Sequence, residues 1–103
     1  MSITELQQPV SGVVHIASAD ELRRWVKWTL CRHEYLDPGQ FGMREVPLVR
    51  AGQRCGRLFQ LRGPRAVTLR AIWSSDDNRV LFYDSAGVRF LAASCLVASD
   101  GKP

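Results

Sequence analysis

The sequence predicts an α+β fold: one N-terminal helix packed on, or capping, a strongly curved antiparallel β-meander of four or five strands. Three observations carry this. Residues 55–93 alternate apolar and polar side chains in short runs separated by turn formers. Residues 18–33 open with a capping box and continue with an apolar stripe at helical spacing. The 103 residues suit one domain, long enough to bury about two-thirds of its surface without staples.

In chain order, residues 1–11 are a polar lead-in, and Val13-Val14-His15-Ile16 reads as a short strand. Ser18 and Glu21 are spaced so that the hydroxyl accepts from the N–H of Glu21 while the carboxylate reaches back to the N-cap. Asp20 and Glu21 also favour the positive end of the helix dipole. The helix is expected over about 19–33. Ala19, Leu22, Trp25, Val26, Thr29, Leu30 and His33 form its apolar stripe; Arg24, Lys27, Trp28 and Cys31 fall on the other side. Trp28 sits off the stripe, and three readings stand: it lies along a wider apolar face, it packs under Arg24 or Arg32 four residues away, or it is an exposed aromatic at an interface.

A long irregular connection is expected over 34–47, with a turn at Asp37-Pro38-Gly39 and with Pro47 denying a backbone donor. The meander follows over 48–97, and a polar tail over 98–103. Its strands are 48–51, 55–62, 66–73, 79–84 and 88–93, parted by Ala51-Gly52-Gln53, Gly63-Pro64, residues 74–78 and Ser85-Ala86-Gly87. A small SH3-like or OB-like barrel is one form such a sheet takes.

Hairpins symmetric about these turns set a register. Arg57 is expected opposite Arg70, Arg70 opposite Tyr83, and Tyr83 opposite Phe90, in one row on one face. The other face, with Leu58, Leu69, Asp84 and Arg89 together with Val67, Ala71, Trp73, Val80, Phe82 and Leu91, is the more apolar and is the expected core. A slip of one residue in any turn moves a whole strand's side chains to the opposite face.

Composition limits the function classes. Apolar content of 46% and charged content of 23% are ordinary for a globular protein. No apolar run approaches the roughly 20 residues of a membrane helix. The first residues carry neither a basic n-region nor an apolar h-region, so a cytoplasmic location without membrane attachment is expected. Three cysteines, Cys31, Cys55 and Cys95, are an odd number for a disulfide framework and are expected as free thiols.

No pattern for enzymatic chemistry stands out. Cys31 and His33, two apart on a helix, point about 160–200° from each other and cannot share a metal while the helix continues. No local signature joins any cysteine to His15 or His33 as nucleophile and base. Asp20-Glu21 belongs to a helix cap and Asp76-Asp77 to a turn. The stretch Gly52-Gln53-Arg54-Cys55-Gly56-Arg57 has no following helix to offer a phosphate its N-terminus. A non-enzymatic protein with no cofactor and no metal is expected.

The remaining signal is basic and aromatic. Net charge is +4, and apart from Lys27 and Lys102 every basic residue is Arg. Arginines on a sheet track phosphates, and aromatics among them stack bases. The expectation is a small binding or adaptor module. Single-stranded nucleic acid is the first ligand to test, on Arg57, Arg70, Tyr83 and Phe90. The alternative is a protein partner or self-association through exposed aromatics and a sheet edge.

Overall fold

A computed structural model describes residues 13–97; the polar lead-in over 1–11 and the tail over 98–103 lie outside the described residues. Six strands and one helix follow in order: β1 (Val13–Ile16), α1 (Ala19–His33), β2 (Met43–Arg50), β3 (Gln53–Arg62), β4 (Thr68–Ser74), β5 (Arg79–Tyr83) and β6 (Arg89–Val97). They form one sheet in the order β1-β6-β5-β4-β3-β2. The fold is therefore α+β with a mainly antiparallel sheet. β1 and β2 are its two ends and do not pair, so the sheet is open and not a closed barrel. Nor is it a pure meander, because β1 pairs parallel with β6. Among the described residues no helix is long and apolar enough to cross a membrane.

The helix starts where its cap requires. Ser18 Oγ accepts from the Glu21 N–H at 3.1 Å, and Glu21 Oε1 takes the N–H of Ala17 at 2.7 Å, one residue before the expected partner. At the far end, the Leu36 N–H reaches the Cys31 carbonyl at 2.8 Å and the Tyr35 N–H reaches the Arg32 carbonyl at 3.3 Å. Tyr35, the first residue beyond the Glu34 cap, has φ of +57°. This is a Schellman ending with tyrosine where glycine is usual.

α1 carries the chain from one edge of the sheet to the other. Its 15 residues span about 22 Å, close to the roughly 24 Å between the outer strands of a six-stranded sheet. One face of the sheet is therefore covered. Leu22, Val26, Leu30 and Cys31 are buried against Phe59, Leu61, Leu69, Ala71, Val80 and Phe82. Trp25 meets Phe82 edge-to-face, with centroids 5.3 Å apart. Thr29 is buried with its hydroxyl donating to the Trp25 carbonyl at 2.8 Å. The stripe differs from expectation at its margins: Cys31 is buried, and Ala19 and His33 are exposed.

β2 begins at Met43, so the irregular connection ends before residue 47. Pro47 sits within β2, which is tolerated because β2 is an edge strand. A two-residue turn, Ala51 (φ +53°) and Gly52 (φ +79°), joins β2 to β3 in the left-handed geometry that suits a tight hairpin.

Candidate functional site

Alternation along each strand separates the two faces. Phe59, Ala71 and Phe82 are neighbours in the ladder and lie under α1. Their sequence neighbours therefore face away. On that uncovered side a polar row crosses five strands: Arg44 pairs with Gln60, Gln60 with Arg70, Arg70 with Tyr83, and Tyr83 with Arg89. The row is about 19 Å long, with its arginines about 10 Å apart. Arg44, Arg70 and Arg89 are exposed; Gln60 and Tyr83 are half-buried.

A second row lies alongside, about 7 Å further along the strands. Val46 pairs with Leu58, Leu58 with Ile72, Ile72 with Leu81, and Leu81 with Ala92. All five are half-buried, on a face that α1 does not cover.

The electrostatics of this face are one-sided. Among the described residues, Glu45 is the only acidic residue within a strand, and it lies on the helix side. The other acids belong to α1, its C-cap and the turns. Arg44, Arg62, Arg70 and Arg89 have no ion-pair partner among the described residues. Arg79, on the same face, has Asp77 at 3.9 Å. Among the described residues the face thus offers guanidinium donors that no carboxylate occupies, beside one phenol and an apolar strip.

The four residues singled out in the sequence divide between the two faces. Arg70 and Tyr83 pair directly, as the register argument requires. Arg57 instead pairs with Trp73, three positions further along β4 than Arg70. The cause is the β3–β4 connection. Pro64–Ala66 form a turn in which Arg65 and Ala66 both take positive φ, closed by the Gly63 N–H donating to the Val67 carbonyl at 2.8 Å. This shifts the register by an odd number of residues and turns Arg57 to the helix side.

Arg57 there donates from Nη1 to Glu45 Oε2 at 2.6 Å, while Arg23 Nε holds Oε1 at 2.5 Å. Burial pushes the Glu45 carboxyl up; the Arg23 hydrogen bond, both arginine charges and the Arg57 hydrogen bond outweigh it and hold the group below the usual carboxylate range.

Phe90 is displaced by a bulge. β6 pairs Leu91 with Phe82 but Arg89 with Tyr83, so Phe90 is the extra residue. Its ring stacks on His33 at 3.6 Å and lies 6.0 Å from Phe82, beside the helix end. Arg89 takes the position opposite Tyr83. Arg44 and Gln60 complete the row. Arg44 is hidden in sequence because Pro47 argues against a strand and residues 43–50 show no apolar–polar alternation.

No protein-family model matches this chain, and comparison with curated proteins and with solved structures finds no match to either.

The cysteines are free thiols. Cys31 and Cys95 are buried. Desolvation pushes both thiols up, that of Cys95 to about 11, so these two are neutral packing groups at pH 7.

Proposed function

We propose that this chain is a non-enzymatic binding module that takes single-stranded nucleic acid across the open face of its sheet. The observation that supports this best is the acid-free row Arg44-Gln60-Arg70-Tyr83-Arg89, continuous over five strands. Its arginines suit phosphate oxygens in bidentate geometry. The strand's backbone follows the row, perpendicular to the β-strands. Its bases lie over Tyr83 and the apolar strip of Val46, Leu58, Ile72 and Leu81. Base–aromatic stacking tolerates any sequence, so affinity comes with little sequence preference. The proposal sets the module in the cytoplasm, with its thiols reduced.

A protein partner or a second copy seated on the apolar strip is the alternative, and the half-buried Leu58, Ile72 and Leu81 favour it. Two copies face to face would bring unpaired arginines together, which opposes self-association through this face. Strand addition at β2 is blunted by Pro47 and by the bulge between Leu48 and Val49.

Titration of labelled protein with short oligo(dT) and oligo(U), followed by NMR at low and moderate salt, tests the reading. Shifts concentrated at Arg44, Gln60, Arg70, Tyr83 and Arg89, and weakened by salt, are expected. A folded protein whose spectrum does not move at low salt removes nucleic acid as the ligand.

A further inference from the structure

The outer side of α1 carries a second recognition surface. Trp28 is 46% exposed, and Arg32 lies over its ring with the guanidinium carbon 5.0 Å from the centroid. Beside it an open groove of about 620 Å³ runs between Trp25, Trp28 and Pro38, edged by Arg24 and Lys27. Pro38 is held there by a fixed turn: Asp37 Oδ1 accepts the Gly39 N–H at 2.9 Å, and the Asp37 carbonyl accepts the Gln40 N–H at 3.0 Å.

The groove has an apolar floor and a cationic rim. Arg24, Lys27 and Arg32 have no ion-pair partner among the described residues. Among the described residues the acids at the groove are engaged locally: Glu21, which lines it, with the Ala17 N–H in the helix cap, and Asp37, beside Pro38, with the Gly39 N–H. From Arg24 to Arg32 the helix rises about 12 Å, the reach of three or four extended residues.

We propose that this groove docks a short acidic peptide segment, its apolar side chain set between Trp28 and Pro38 and its carboxylates on Arg24, Lys27 and Arg32. Charge complementarity selects this occupant. A second copy brings another +4 to a cationic rim. A nucleic-acid strand would find one exposed indole bordered by Pro38, without a track of stacking faces. The surface lies on the side of the sheet opposite the arginine row, so it stands or falls independently of nucleic-acid binding.

The three tryptophans make the test direct. The indole N–H of Trp73 donates to Asn78 Oδ1 at 3.0 Å away from the groove and serves as an internal control. The probe is a synthetic peptide in which Asp and Glu flank a Leu-Pro pair; its control replaces the acids by Asn and Gln. On adding the acidic peptide, the indole signals of Trp25 and Trp28 are expected to move and that of Trp73 to stay. Trp28→Ala, and separately Arg24→Glu with Lys27→Glu, should each weaken binding at least about tenfold while the backbone spectrum keeps its native pattern. The proposal is overturned if no indole moves, if the neutral peptide binds equally well, or if binding survives Trp28→Ala. Oligo(dT) moving the same two indoles would also overturn it, by naming a different occupant.

Discussion

Arg70 and Tyr83 stand directly opposite each other on β4 and β5, on the side of the sheet that α1 leaves open. They are flanked by Gln60 on one side and Arg89 on the other. If this row binds a single strand, its members contribute in separable ways. Arg70→Ala should remove one phosphate contact and flatten the plot of log affinity against log salt by about 0.7. Tyr83→Ala should cost roughly 1–3 kcal/mol of stacking and leave that slope unchanged. Arg57→Ala, on the other face, should affect neither. Fluorescence anisotropy of a labelled oligonucleotide over a salt series checks all three. Equal losses from Arg57→Ala and Arg70→Ala would refute the division of the faces.

Tyr35 holds a left-handed conformation and is 96% exposed. A non-glycine residue costs about 1–2 kcal/mol there, and no burial of the ring offsets it. Tyr35→Gly should therefore stabilise the protein by roughly 1 kcal/mol, after the greater flexibility of glycine in the unfolded chain is subtracted. Urea denaturation measures this. Destabilisation would mean that the tyrosine ring makes a contact that outweighs the backbone strain.

The helix was legible because its signals are local. Ser18 and Glu21 set its start, and the spacing from Leu22 to Leu30 set its buried side. The β4–β5 register was legible because the turn over 75–78 adds no asymmetry to the hairpin. The β3–β4 register was not. Gly63-Pro64 looked like a tight turn, yet Arg65 and Ala66, neither a residue that favours positive φ, both adopt it. The parallel pairing of β1 with β6 joins chain segments about 80 residues apart, and no local pattern encodes it. Of the four site residues picked in sequence, the two whose facing depended only on the β4–β5 hairpin fell on the open side together.

Glu45 links α1, β2 and β3 through Arg23 and Arg57. Because its folded carboxyl lies below the ordinary value of 4.5, the unfolded chain binds more protons as the medium is acidified. The contribution is complete above that value and is lost as pH falls through the folded value. Glu45→Gln should remove this part of the acid dependence, giving a shallower loss of stability below about pH 5. At neutral pH the same change should cost roughly 1–3 kcal/mol, because two arginines lose a charged acceptor. Thermal melts of both proteins between neutral and acid pH provide the comparison. Parallel curves would show that the carboxylate does not couple to folding.

Gly56 is buried where β3 passes between β2 and β4. It pairs with Leu48 beside the β2 bulge and with Ser74 on β4. A methyl group at this position would meet the Trp73 carbonyl oxygen at 2.0 Å. That neighbour is backbone, so no side-chain rotation relieves the clash, and the strands must part. Parting them breaks the hydrogen bond from the Ser75 N–H to the Cys55 carbonyl, 3.0 Å long, and disturbs the register that places Arg70 beside Gln60. Gly56→Ala should therefore destabilise by ~3 kcal/mol or more, among the larger effects of a single methyl. Gly42→Ala, where an added methyl has nothing within 4 Å, should change stability by less than about 1 kcal/mol. Chemical denaturation of the two variants side by side tests this. A Gly56→Ala protein as stable as the Gly42→Ala protein would mean that β3 and β4 are further apart at this crossing, and that the arginine row has room to shift.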